Sequence, residues 1–170
     1  MVKKIVWENL VEKYGSLLNY LSTRKEIFLP GNEDPLLLNF KNIFEHYKIG
    51  YIYFGGEDGR SYIFPYTEAI EPYDPRERPW YILAKKNPLR FVVTPPYFDV
   101  ITKKPCISIS KAVIVDSKNV IGVIGIDLIA DYIVSNILEK NTYMVDESEI
   151  YRLIQHIQIT SFVQTTLFEN

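Results

Sequence analysis

Nine consecutive residues, Tyr73 to Tyr81, hold two arginines, three aromatics, two prolines and two acids. A guanidinium offers a planar fork of donors, and a carboxylate accepts it through two parallel charge-assisted hydrogen bonds. Flat aromatic faces beside the fork exclude competing water. The chemistry on offer is capture of a carboxylate. A plainer role fits the same residues: a surface loop whose arginines pair with Asp74 and Glu77 while Trp80 and Tyr81 anchor it to a core. Pro75 and Pro79 fix their own φ and bias Asp74 and Arg78 towards extended conformations, so a stiff, non-helical segment is expected.

Other acids and bases offer alternatives to this stretch. Asp127 closes an apolar run, Val120 to Ile126, that reads as a buried strand. It either faces a site or N-caps a following helix, a favoured place for Asp. Asp99, in Pro-Pro-Tyr-Phe-Asp-Val, also suits an ordinary turn. Arg76 reads as a surface charge or a partner of Glu77 or Asp74. Tyr53 and Tyr62 either line a pocket or pack in the core. His46 and His156 have no second ligand at metal spacing, so no metal is expected. There is no Gly-rich phosphate loop, no HExxH and no nucleophile set beside a His, so no catalytic residue is assigned and the chain does not read as an enzyme.

These residues need a scaffold. Val6, Leu10, Tyr14, Leu17, Leu18 and Leu21 mark a long helix over 3–26, with a face that packs on the domain or on a second copy of itself. Pro30-Gly31-Asn32 breaks the chain. A second helix is expected from Asp34 as N-cap, with Pro35 at its first position. After Gly50 the period becomes strand-like. Tyr51–Phe54 and Ser61–Phe64 are expected to form a hairpin, Trp80–Lys86 a short helix, and Arg90–Val93 a strand. Cys106–Val115 and Val120–Asp127 flank a turn and make the clearest hairpin. Helices are expected over Leu128–Leu138 and from Ser148 onward. The fold class is α+β: a PAS-like five-stranded antiparallel sheet with a long N-terminal helix and flanking helices.

Totals narrow the function. The 170 residues, 47% hydrophobic and 24% charged, suffice for one core with appendages. A net charge of −2 gives no footprint for nucleic acid. Thirteen tyrosines supply pocket walls with both apolar area and hydroxyls. The single cysteine, Cys106, excludes an internal disulfide and reads as a buried thiol. No run reaches the roughly 18 residues of a membrane span. The start lacks a signal peptide. The chain reads as soluble, whole or as a piece of a longer protein.

The order of motifs resembles a known family. Tyr51-Ile52-Tyr53-Phe54-Gly55 with Asp58-Gly59, then Tyr73–Tyr81 with Ala84, Pro96-Tyr97, Ile107–Ala112 and Gly122–Asp127 are similar to a Cache sensor domain. The likeness covers about residues 34–135 and is nearest to the membrane-distal module of double-Cache receptors. It divides the chain into an N-terminal helix for packing or dimerisation (1–30), the ligand-binding domain (34–135) and a C-terminal linker and helix (136–170). Such domains are extracytoplasmic parts of chemoreceptors, sensor kinases and diguanylate cyclases. The resemblance implies a sensor of signal transduction, periplasmic or extracellular, joined to a membrane only through segments outside this chain. It implies a small-molecule ligand, no cofactor, and a homodimer through the first helix. Members that bind amino acids carry a Tyr five residues before an Arg, then x-Trp-Tyr, a later Tyr-x-Asp, and a strand-closing Asp. Tyr73, Arg78, Trp80, Tyr81, Tyr97, Asp99 and Asp127 fill that pattern. The implied roles are Arg78, Trp80 and Tyr73 on a carboxylate, and Asp127 with Tyr81, Tyr97 or Asp99 on an ammonium.

A zwitterion needs one fixed cation and one fixed anion that do not neutralise each other, and each desolvated charge is costly unless paired. Two rival readings remain: a sensor for a simple organic acid, and an interaction module with no ligand. About 35 residues (170 − 135) follow Ser135, too few for a second module, so one module or a truncated piece is expected.

Overall fold

Leu10, Tyr14, Leu18 and Leu21 recur at helical spacing, and in the computed structural model they form the buried stripe of α1 (Val2–Thr23). The structure describes residues 2–68, 72–99 and 102–129, with side chains from Glu8 onward. The α1 stripe packs on the sheet, chiefly on its longest hairpin, each such side chain contributing about 1.5–3 kcal/mol by burial. The Tyr14 hydroxyl donates to the Lys48 carbonyl at 2.7 Å, so its buried polar end is satisfied.

Helix α2 (Glu33–His46) begins earlier than expected. Asn32, not Asp34, holds the cap position, and its carbonyl accepts the Leu36 N–H at 3.2 Å. Asp34 and Glu33 instead place negative charge in the first turn, where the helix dipole favours it. Pro35 is still tolerated there, because the first four N–H groups of a helix have no internal partner.

The remaining strands are β1 (Tyr51–Gly56), β2 (Ser61–Phe64), β3 (Val92–Val93), β4 (Tyr97–Phe98), β5 (Pro105–Val115) and β6 (Asn119–Ile129). They form one antiparallel sheet in the order β2-β1-β6-β5-β3, with β4 paired to β5 off that path. Six strands therefore stand where five were expected, the extra one being the two-residue β4. The 90–93 strand shortens to Val92–Val93, since the Arg90 N–H closes a turn on the Asn87 carbonyl.

Period-two alternation divides the sheet into two faces. Ile52, Phe54, Ile107, Ile109, Ile124, Ile126 and Leu128 meet α1 and α2 in the main core. Tyr53 and Val123 point the other way, into a smaller cluster with Trp80, Tyr81 and Ala84 of α3 (Pro79–Lys86). Helix α3 covers only part of this second face, and the rest is open to the site.

Two expectations change here. The 73–81 stretch is not an extended rod: Pro75–Glu77 is a 3-10 turn, and α3 starts at Pro79. Each proline sits at a helix start, where a missing N–H costs nothing. The residues before them do stay extended, Asp74 at φ −120°, ψ 115° and Arg78 at φ −83°, ψ 146°. Asp74 caps the 3-10 turn by accepting the Arg76 N–H at 2.9 Å. Nor does a helix begin at Leu128. Strand β6 runs on through Leu128 and Ile129, paired with Ile107 and Cys106, which removes the N-cap role proposed for Asp127. The rest of that helix and the one from Ser148 lie outside the described residues.

Candidate functional site

The uncovered part of the second face is one wall of a cavity of about 720 Å³. Strand β1 contributes Tyr51 and Tyr53, β2 contributes Ser61, Tyr62 and Ile63, and α2 contributes Leu37. The segment after β2 brings Tyr66, Thr67 and Glu68. Pro72, Tyr73, Arg78 and Trp80 close it from the α3 side, and Tyr97, Asp99 and Asp127 from the sheet. Six of the seven sequence-assigned residues thus line one cavity. Tyr81 does not. Successive helical residues point about 100° apart, so with Trp80 aimed at the cavity Tyr81 is turned into the fold. Tyr81 is fully buried, and burial together with the nearby Glu57 carboxylate pushes its hydroxyl well above the usual range.

Arg78 and Arg76 divide the roles that the sequence left open. Arg76 forms a bidentate pair with Asp74, through Nε and Nη2 at 3.0 and 2.8 Å, and its Nη1 donates to the Glu57 carbonyl at 3.1 Å. The Arg78 side chain has no hydrogen bond or ion pair among the described residues. Its guanidinium lies 5.9 Å from the centre of the Tyr73 ring. A half-buried guanidinium with unused donors is ready to take a carboxylate.

The anionic wall is built on strand register. Asp127 lies opposite Tyr51 on one side and Ser108 on the other. Its Oδ1 accepts from the Tyr53 hydroxyl at 2.5 Å and from Ser108 Oγ at 2.6 Å. Ser108 is in turn 2.5 Å from the Tyr97 hydroxyl, which can donate to it while Ser108 donates to Asp127. Burial raises the Asp127 pKa, Asp99 adds to it, and the bonds from Ser108 and Tyr53 pull the other way, leaving it at about 6. The Tyr53 and Tyr97 hydroxyls are pushed up, first by burial and then by Asp127. Burial also raises the Cys106 thiol, an inert position in β5.

Asp99 serves its turn as well as the cavity. Its Oδ2 accepts the Thr102 N–H at 2.7 Å, and its backbone bonds to residues 103 and 104. It is still 7% exposed and lines the cavity.

Two glycines permit this arrangement. A Cβ on Gly55 would lie 2.5 Å from Pro75 Cβ, so glycine lets the 3-10 turn sit on β1. A Cβ on Gly125 would lie 2.4 Å from the Tyr53 ring, which crosses β6 to reach Asp127. Trp80 then packs on that ring at a tilt of 58°, with centroids 4.6 Å apart, and its carbonyl accepts from Ser110 Oγ at 2.8 Å. Gly125→Ala is expected to displace Tyr53 and cost about 1–3 kcal/mol by overpacking. Thermal denaturation should show the loss, and an unchanged melting temperature would contradict the close approach.

Sequence reasoning missed Ser108, the hub between two tyrosines and Asp127. The signal was present: in Ile107-Ser108-Ile109-Ser110 the serines alternate with the core isoleucines and must share the other face. Thr67 and Glu68 fall in the 62–70 segment that the sequence offers as pocket wall, though no motif singles them out, and Pro72 lies outside it.

The sheet flanked by a long helix and opened on its other face defines a PAS-like sensor domain. Residues 32–135 match the family described as methyl-accepting chemotaxis protein-like, first PDC sensor domain, and the chain belongs to that family. The methyl-accepting chemotaxis protein McpC of Bacillus subtilis is 41% identical over 76 residues, which span 45% of this chain and 12% of that protein. The ligand-binding domain of the Pseudomonas aeruginosa chemoreceptor PctB, solved with L-Arg, superposes with a TM-score of 0.69 at 23% identity, covering 80% of this chain and 56% of that one. That of the Pseudomonas fluorescens chemoreceptor CtaA, solved with L-alanine, gives 0.68 at 23%, covering 79% and 58%. The chain therefore spans about an eighth of the curated receptor and little more than half of the solved domains. Among the described residues no helix is long and apolar enough to cross a membrane.

Proposed function

We propose that this domain is the extracytoplasmic sensor of a methyl-accepting receptor and binds a free amino acid. Arg78, supported by Tyr73 and Trp80, takes the carboxylate. Asp127, with Tyr97 and Asp99, takes the ammonium. The observation that carries this reading is the placement of an uncommitted guanidinium and a buried carboxylate on the wall of one aromatic cavity. The similar domains solved with L-Arg and L-alanine support the ligand class but differ in side chain, so they do not specify it. Homodimerisation through α1 belongs to the same reading, and sedimentation of the protein tests it.

A thermal-shift screen of the free amino acids and simple carboxylates tests the ligand class, since a ligand that binds only the native state raises the melting temperature. A shift with amino acids and none with the matching acids lacking an amine supports the proposal. A shift with acids alone favours an organic-acid sensor, and no shift with either favours an interaction module.

A further inference from the structure

The charges on the cavity wall do not balance. Among the described residues that line it, one cation, Arg78, faces three acids, Glu68, Asp99 and Asp127. A ligand with one carboxylate and one ammonium matches Arg78 and a single acid, leaving two carboxylates over. Asp99 and Asp127 are only 7% and 6% exposed, so water does little to compensate them. Asp99 commits only Oδ2, to the Thr102 N–H. Glu68 is exposed and enters the wall with Tyr66 from the segment after β2, whereas Asp127 enters it from β6.

Size points the same way. Cavities of about 300–1,000 Å³ enclose drug-sized ligands, and this one, at about 720 Å³, far exceeds the needs of glycine or alanine. Tyr51, Tyr66 and Tyr73 line it, and tyrosine faces attract cations. A long ligand with a positive far end suits both the space and the charge.

We propose that the ligand is an amino acid with a cationic side chain, whose carboxylate meets Arg78, whose α-ammonium meets the Asp99 and Asp127 wall, and whose second cation lies by Glu68 among the tyrosines. This rests on the amino-acid reading of the site given above. It adds Glu68 as a residue that determines specificity.

Calorimetric titration of the protein with matched ligands tests it. L-arginine and L-citrulline have nearly the same shape and differ by one charge, as do L-lysine and L-norleucine. The charged member of each pair should bind about tenfold more tightly or better at low salt, and the gap should narrow as salt is added. Glu68→Gln should narrow the gap while leaving the neutral ligands unchanged. Cadaverine, which is lysine without its carboxylate, should fail to bind. Citrulline and norleucine binding as well as their charged partners would overturn the inference while leaving the amino-acid site intact. An unchanged gap in Glu68→Gln would overturn the placement of the second cation. Failure of every amino acid, alanine included, or cadaverine binding as well as lysine, would overturn the underlying site reading too.

Discussion

Arg78→Ala is expected to remove amino-acid binding while leaving the empty domain folded and nearly as stable. The reasoning starts from what Arg78 does not touch. With no hydrogen bond or ion pair among the described residues, its guanidinium supports the fold only through Tyr73, a cation–π contact of about 0.5–1 kcal/mol at an exposed site. Its extended backbone before Pro79 is set by the proline rather than by its side chain. The cost to the ligand is larger. Truncating one partner of a desolvated, hydrogen-bonded charge pair costs about 2–5 kcal/mol, or roughly 30-fold to several thousandfold in Kd. Arg78→Lys keeps the charge without the fork and should fall between the two. Calorimetry against the best ligand of the screen reads the affinity, and a melting curve of the empty protein reads the fold. Arg78→Ala that still binds with near-native affinity would sink the assignment. By contrast, Arg76→Ala should loosen the 3-10 turn through loss of the Asp74 pair, a structural effect distinct from loss of a ligand contact.

Asp127→Asn should separate function from stability in the opposite direction. The Asp127 carboxyl has a pKa of about 6 in the fold against an ordinary value of 3.8. Its folded value is raised, so between these limits the native state holds a proton that the unfolded chain has lost. Stability from this group is full below about pH 4 and is lost as pH rises to about 6, by roughly 3 kcal/mol from the size of the shift. Above that the contribution is flat. Asparagine keeps an oxygen to accept from Tyr53 and Ser108 but carries no charge. The variant should therefore melt at a higher temperature than the parent at pH 7.5, and its stability should lose the decline between pH 4 and 6. It should no longer bind amino acids, because its amide has no charge to set against the ammonium, while a simple acid held by Arg78 should still bind. In the parent, amino-acid affinity should weaken about tenfold per unit as pH falls below about 6, where Asp127 takes up its proton. Titrations at pH 5 and 7.5 that give equal affinities would refute the role of this carboxylate.

The parts of the fold read correctly from sequence were those with a strong period. Tyr14, Leu18 and Leu21 announced α1, and the Ile and Val runs either side of Asp116–Asn119 announced the β5–β6 hairpin. Short elements escaped because tertiary pairing creates them. Strand β4 is two residues that pair only where Cys106 and Pro105 happen to lie opposite. The 3-10 turn at Pro75 was hidden because prolines disfavour helix interiors yet suit helix starts. The candidate site was legible where its chemistry is local, as in Arg78 and Trp80. Asp127 could not be resolved locally: whether it caps a helix or faces a cavity depends on β6 continuing past it to Ile129. Ser108 gained its place only through register, opposite an acid 19 residues away in sequence.

Trp80 has a practical consequence. It is one of only two tryptophans, the other being Trp7 in the first helix, and it forms part of the cavity wall with its ring against Tyr53. The protein carries its own fluorophore where a guest would sit, and changing Trp7 to phenylalanine would leave an emission spectrum that reports on that place alone.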